Sequence, residues 1–265
     1  MLRLAIAGKG GVGKTTVAAL LARELARCGM RVVAVDADPA SSLPSALGLD
    51  AKRRKEIVPI SKMLDLIEER TGVRPGESYG GMFRLNPPVD DILDKYGVDC
   101  GPNVKLLVLG TIDSGGSGCF CPESTLLRAL MDHLVLQSGD ALILDAEAGL
   151  EHLGRASTKR VDMMITVVEP GMRSVETAAK VAALAKQVGV KRVGAVLNKV
   201  RDAAQERRLL AALMDEGIEV LTSLPYDPKI SSFDLDGAMP FDLELDGDLA
   251  VKIGGLAASL MKLQN

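Results

Sequence analysis

The sequence predicts an α/β fold, a doubly wound and mostly parallel β-sheet flanked by helices. Two patterns carry that expectation. Short runs rich in Val, Ile and Leu alternate with longer stretches of helical periodicity along most of the chain, as in repeated βαβ units. The apolar runs are continuous instead of strictly alternating, which suits strands covered on both faces. In order, the strand-like runs are RLAIA (3–7), RVVAVD (31–36), VKLLVLG (104–110), ALILD (141–145), DMMITVV (162–168), RVGAVLN (192–198) and IEVLTSLP (218–225). Helical patterns lie between them at about 15–28, 123–137, 173–188 and 203–216, with a last one near 248–263. Residues 50–103 fit this rhythm least. ISKMLDLIEERTG (60–72) reads as helix, a stretch containing Gly and Pro follows, and DDILDKYG (90–97) resumes the helical pattern. We read 50–103 as an insertion within a single domain spanning 1–265.

Composition agrees with a packed domain. Hydrophobic residues make up 47% of the 265 and charged residues 25%, whereas aromatics reach only 3% with no Trp. The core must therefore rest on Leu, Val, Ile, Ala and Met. The eleven methionines, Met163 and Met164 among them, read as core filling and not as metal ligands. No stretch approaches the roughly 18 consecutive apolar residues that a membrane span requires. The start, MLRLAIAGKG, shows no basic leader or cleavage site. A net charge of −3 gives no general pull toward nucleic acid, and KRRKE at 52–56 reads as solvated surface. Four cysteines do not make a disulfide scaffold in a chain this long. The expectation is a reduced, cytoplasmic protein with neither nucleic acid nor membrane as a partner.

The chemistry begins at GKGGVGKTT, Gly8 to Thr16, which follows the first strand and opens the first helix. Gly8 to Thr15 fits G-x-x-x-x-G-K-[ST] in the strand–loop–helix setting that this phosphate-binding pattern requires. Gly8, Gly10, Gly11, Val12 and Gly13 supply backbone N–H groups to wrap phosphate oxygens, and the helix N-terminus adds partial positive charge. Lys14 is expected at the β- and γ-phosphates, Thr15 on Mg²⁺, and Thr16 at the α-phosphate.

Lys9, a second lysine early in the loop, makes the motif resemble the deviant Walker A group that includes the nitrogenase iron protein, MinD, ParA and ArsA. The resemblance implies an ATP-dependent homodimer in which Lys9 reaches the nucleotide of the other subunit. There a cation would offset charge on the transferring phosphoryl group. It also implies roles for the strand-end carboxylates of VDADP and LILDAEAG. Asp36 would support the Mg²⁺ shell, Asp38 would orient or deprotonate the attacking water, and Asp145 would hold Mg²⁺ through water. Gly149 matches the second switch glycine, and Glu147 is given no catalytic role. Lys9, Lys14, Asp38 and Asp145 thus form the expected catalytic set. Such carboxylates sit at the ligand-facing edge of a parallel sheet, where they also serve as helix caps.

The base is addressed by LNKVR, in which Asn198 and Lys199 lack the Asp two residues on that reads guanine, because Arg201 stands there. An Asn amide can pair with adenine N6 and N7, so ATP/ADP is favoured over GTP. LPYDP (224–228), with Pro225, Tyr226 and Asp227, resembles the segment whose backbone frames the adenine.

Cys119 and Cys121, in GGSGCFCPES, allow three readings. A disulfide would close a small strained ring, and a reducing compartment opposes it. A redox pair usually has the spacing C-x-x-C. A metal site is short of ligands, since two thiolates are half of the four that tetrahedral Zn²⁺ or square-planar Ni²⁺ prefers. A two-fold nucleotide-dependent dimer would bring two such half-sites together on its axis, and Gly115, Gly116 and Gly118 permit close approach there. Ordinary surface cysteines are the rival reading. Cys28 and Cys100 read as structural, and His133 and His152 as ordinary hydrogen-bonded side chains.

AIAGKGGVGKTTVAALLA, AVDADPASSL, LDKYG, GGSGCFCPES, LDAEAGLEHLGR, VDMMITVVEP and VLNKVR together closely resemble the CooC family, the nickel-insertion accessory ATPases of carbon monoxide dehydrogenase. The resemblance spans almost the whole chain. It implies a dimeric ATPase whose paired C-x-C motifs bind Zn²⁺ or Ni²⁺ and assist a client nickel enzyme, carbon monoxide dehydrogenase or acetyl-CoA synthase. Two alternatives stay open. A partitioning or positioning ATPase of the ParA/MinD kind leaves the two thiols without a task. An electron-transfer ATPase with a bridging iron–sulfur cluster would draw its cysteines from well-separated positions.

Overall fold

The computed structural model describes residues 1–38, 40–76, 83–110, 121–137, 140–146, 159–236, 239, 245 and 247–264. Its strands are β1 Leu2–Ala7, β2 Val32–Asp36, β3 Val98–Asp99, β4 Val104–Val108, β5 Ala141–Asp145, β6 Met163–Val168, β7 Val193–Val200 and β8 Glu219–Pro225. They form one eight-stranded sheet in the order β3-β4-β2-β5-β1-β6-β7-β8. Every neighbouring pair is parallel except β3 with β4. The helices among the described residues are α1 Lys14–Arg27, α2 Leu43–Ala46, α3 Ala51–Glu56, α4 Leu64–Thr71, α5 Ile92–Tyr96, α6 Pro122–Gln137, α7 Met172–Val188, α8 Ala203–Asp215, α9 Pro228–Asp236 and α10 Gly247–Met261. The doubly wound, mostly parallel α/β fold is therefore present as expected.

Side-chain alternation sorts each strand between two apolar layers. Leu4 and Ile6 of β1 pack with Leu21 and Leu25 of α1 and with Ile253, Leu256 and Leu260 of α10. Ala5 and Ala7 face the other layer, built from Leu66 and Ile67 of α4, Ile92 of α5, and Leu126, Leu130 and Leu134 of α6. A third cluster joins Val175 and Ala178 of α7, Leu209 and Leu213 of α8, and Ala195 and Leu197 of β7. All five residues of β2 and of β5 are buried, which explains their unbroken apolar runs. Each fully buried Leu, Ile or Val side chain contributes about 1.5–3 kcal/mol relative to exposure. Helix ends are set locally. Asp202 caps α8 by accepting from the backbone N–H groups of Ala204 and Gln205, and Gly189 in the left-handed region (φ 91°) ends α7.

The segment 50–103 carries its own short elements, and their apolar faces enter the main layers. Ile60, Leu66, Ile67 and Ile92 are essentially buried. α3 buries no residue, so its KRRKE run is the solvated face expected of it. Three features depart from the sequence expectation. β3 is an antiparallel edge strand of only two residues, too short for periodicity to register. α2 and α9 are short helices in stretches to which the sequence reading assigned no element, and α2 carries a proline in its first turn. β7 runs on to Val200 past an irregularity in its pairing with β8, so Asn198 and Lys199 lie within the strand. Among the described residues no helix is long and apolar enough to cross a membrane.

Candidate nucleotide site

The parallel strands deliver their C-terminal ends to one edge of the sheet, where ligands of such folds bind. β1 ends at Ala7, and the chain turns sharply into the phosphate loop. Gly8 (φ 147°) lies so close to β6 that a Cβ there would meet the Val167 carbonyl oxygen at 2.7 Å. Gly13 (φ 93°) precedes α1, and a Cβ on it would collide with the Asn198 amide. The first intrahelical bond, Val17 N–H to Gly13 C=O at 3.0 Å, leaves the amides of Lys14, Thr15 and Thr16 without a helical acceptor. They are the ordinary orphan donors of a helix N-terminus, suited to an anion.

Two further donors mark the concave side of the loop. The Lys14 ammonium and the Val12 N–H both point to the Lys9 carbonyl oxygen, each at 3.5 Å. Lys14 is 6% exposed and also lies 3.7 Å from Asp38 Oδ2. Donors that converge this loosely on one neutral oxygen are arranged for a stronger acceptor, such as a phosphate. The Lys9 side chain is exposed, as reach toward a second subunit requires.

Asp36 and Asp145 are register partners at the ends of β2 and β5, and both are fully buried. Their environments differ. Asp36 accepts from Asp38 N–H (3.1 Å), the Ser41 hydroxyl (3.1 Å) and Leu43 N–H (3.2 Å). Burial pushes its carboxyl up to about 6 against those hydrogen bonds. Its oxygens thus pin the loop after β2, with Ser41 held at φ 45°. Both oxygens of Asp145 are buried with no hydrogen-bond partner among the described residues. Burial pushes its carboxyl up to about 7, the neighbouring Thr15 hydroxyl opposes the rise, and Asp36 adds to it. A buried carboxylate with two unsatisfied oxygens, beside a threonine hydroxyl and other carboxylates, has the donor set that Mg²⁺ prefers. The residues present therefore fit the ion that the sequence pattern implies.

On the other side of the loop, Asn198 Nδ2 donates to the Val12 carbonyl at 2.8 Å. Lys199, in the left-handed region at φ 58°, donates to the Gly11 carbonyl and pairs with Glu169 at 3.2 Å. β8 ends at Pro225, and Tyr226 N–H binds the Val200 carbonyl at 2.8 Å, which draws the LPYDP segment beside Asn198. The Arg201 guanidinium lies 4.2 Å over the Tyr226 ring. Asp227 Oδ1 accepts from Lys229 N–H at 2.8 Å at the start of α9. The structure thus gathers Lys14, Thr15, Asp36, Asp38 and Asp145 at one edge, with Asn198, Lys199, Pro225 and Tyr226 behind the loop. Glu169 and Ser41 were given no role in the sequence reading, although each lies in a quoted stretch, VDMMITVVEP and AVDADPASSL, because their partners Lys199 and Asp36 are set by the fold.

Cys121 immediately precedes α6, so it stands at the same strand-end edge of the sheet. It is partly buried, with its Sγ 3.1 Å from Ser124 Oγ. Cys119 lies outside the described residues, as do Glu147, Gly149 and His152. Cys28 is exposed and Cys100 buried. Among the described residues no three His, Cys, Asp or Glu side chains form a metal-binding group.

With the geometry in place, comparison with known proteins defines the class. Residues 4–241 match the family described as the CobQ/CobB/MinD/ParA nucleotide binding domain. The chain is 44% identical to an uncharacterized ATP-binding protein of Methanocaldococcus jannaschii, covering 100% of this chain and 99% of the relative. It is 41% identical to the carbon monoxide dehydrogenase accessory protein CooC of Rhodospirillum rubrum, over 91% of this chain and 90% of that protein. The fold is shared with a chain of the MinC:MinD cell division protein complex of Aquifex aeolicus, at a TM-score of 0.70 and 22% identity over 99% and 96% of the two chains. MinD of Pyrococcus horikoshii, solved with Mg-ADP, gives 0.69 and 22% over 100% and 98%. The chain belongs to the CobQ/CobB/MinD/ParA family of nucleotide-binding P-loop domains, in the branch that includes CooC.

Proposed function

We propose that this chain is a dimeric, ATP-hydrolysing metallochaperone that assists nickel insertion into carbon monoxide dehydrogenase or acetyl-CoA synthase. The supporting observation is its 41% identity to a CooC protein over nine-tenths of both chains, in a sequence that carries the C-x-C pair Cys119 and Cys121. In this reading the loop amides and Lys14 bind the phosphates, and Asn198 with Pro225, Tyr226 and Asp227 frames the adenine. Thr15 and Asp145 would hold Mg²⁺, which neutralises charge building on the phosphoryl oxygens. Lys9 adds a cation from the partner subunit, and Asp38 orients the attacking water once Lys14 has turned to phosphate. The cargo, Zn²⁺ or Ni²⁺, is bound by four thiolates, two from each subunit, at the nucleotide edge of a closed dimer. Hydrolysis relaxes that closure and weakens the site, so that ATP and metal affinities are reciprocally coupled. The reading assigns the protein to the cytoplasm, where thiols stay reduced.

Anaerobic metal titration of wild type and Cys119→Ala/Cys121→Ala, with ADP or a non-hydrolysable ATP analogue and with mass monitored, tests this function. One metal per nucleotide-closed pair, lost in the variant, is expected. Metal retained by the variant refutes the thiol assignment, and equal affinity with ADP and the analogue refutes the coupling. A partitioning or positioning ATPase would bind no metal here, and visible absorption after anaerobic purification would indicate an iron–sulfur cluster.

A further inference from the structure

We propose that Glu169 is a positioning residue of the nucleotide site, acting through Lys199 to aim a phosphate-loop amide. The argument starts from the planarity of the trans peptide, in which N–H and C=O point in opposite directions. No peptide among the described residues is cis. The Gly11 carbonyl faces Lys199 Nζ, so the Val12 N–H on the same plane points away from Lys199. It points to the Lys9 carbonyl, toward which Lys14 Nζ also points. The Val12 carbonyl faces Asn198 Nδ2 at 2.8 Å, which turns the Gly13 N–H away from Asn198 in the same manner. Lys199 and Asn198 therefore hold two consecutive planes from behind, with their N–H groups turned to the phosphate side.

Lys199 is a long, flexible side chain, 41% exposed, and would sample other rotamers if the Gly11 carbonyl were its sole partner. Glu169 supplies the second contact at 3.2 Å. The Glu169 main chain is anchored: the residue directly follows β6, and its N–H donates to the buried Ser174 hydroxyl at 3.1 Å. The strand neighbouring β1 thus carries a carboxylate that keeps the ammonium on the loop. The negative charge has a second consequence. It partly offsets Lys199, so that the outer side of the loop does not compete with the inner side for an anion. The loop enters binding already shaped, and the ordering cost falls on folding instead of on the ligand.

The test is a double-mutant cycle on the whole protein, using fluorescent ADP and the non-hydrolysable ATP analogue as probes. Lys199→Met is expected to raise the nucleotide Kd about tenfold, as for loss of a hydrogen bond from a charged donor. Glu169→Gln, which preserves shape, is expected to raise it about threefold. Glu169→Gln should add nothing in the Lys199→Met background, because its effect runs through the ammonium. Under turnover, KM should rise in both single variants with kcat little changed, the signature of lost ground-state binding. Thermal unfolding without nucleotide should stay near wild type, which separates positioning from a general loss of fold. Unchanged Kd in Glu169→Gln, or effects that add fully in the double variant, overturns the proposal. Wild-type nucleotide binding is read in the same experiment, so failure of this proposal is distinguishable from absence of a nucleotide site.

Discussion

At the scale of single residues, the buried carboxylates decide most. Asp36 and Asp145 lie side by side, but Asp36 is satisfied by the loop it pins and Asp145 is not. Their carboxyls are raised from 3.8 to about 6 and about 7 respectively. A raised acid binds its proton more tightly in the folded chain, so stability is lost as pH rises through the window from about 4 to about 7. Without Mg²⁺ and nucleotide, Tm should fall across that window. Asp145→Asn should flatten the fall and lower Mg²⁺ affinity about 10–100-fold. An unaltered slope in Asp145→Asn would show that another group governs it. The thiols differ as sharply. Cys28 is exposed, whereas Cys100 is 3% exposed and burial pushes its thiol up to about 12. At pH 8 iodoacetamide should label Cys28 and leave Cys100 untouched until denaturant is added, as mass mapping would reveal. Rapid labelling of native Cys100 would contradict its packing.

At the scale of elements, the long parallel strands and their helices were legible because burial on both faces makes apolar runs continuous. β2 and β5 have no exposed residue, and their sequence limits coincide closely with the observed ones. β3 was not legible, since two residues carry no period. α2 and α9 were missed for a related reason: each is short, and packing holds it more than propensity does. The reading of the insertion as part of one domain is a proposal that calorimetry can test. Ile92 of α5 is fully buried in the layer that contains Leu130 of α6. Ile92→Ala should therefore cost about 2–5 kcal/mol, and calorimetry should show a single transition shifted to lower temperature. A separate low-temperature transition would mark residues 50–103 as an independent unit.

At the scale of the whole molecule, the exposed Lys9 side chain belongs to a question that one subunit does not answer. If it serves the nucleotide of a second copy, Lys9→Ala should keep ADP binding but slow hydrolysis by about 10³, as when a trans-acting cation is removed. Light scattering should also show that the variant no longer doubles its mass with the ATP analogue. Doubling that survives in Lys9→Ala would transfer the closure to other contacts. The thiol pair belongs to the same scale, because Cys121 stands at the strand-end edge of the sheet, where Lys9 and the phosphate loop also lie.

The sequence by itself determined the sheet class, the phosphate loop and the chemical identity of its Lys14, Thr15, Asp38 and Asp145 side chains. The sheet class and the phosphate loop follow from local rules, periodicity and glycine spacing, whereas the parts given to Asp38 and Asp145 are what the resemblance to the deviant Walker A group implies. Only the tertiary structure decided how the groups divide their work. It left Asp145 unsatisfied while committing Asp36 to a loop, and it set Glu169 and Lys199, thirty residues apart, behind the Gly11 carbonyl. The reason is physical: hydrogen-bond satisfaction and burial depend on neighbours brought in by strand order, and strand order joins β1 to β5 and β6 across more than a hundred residues of chain.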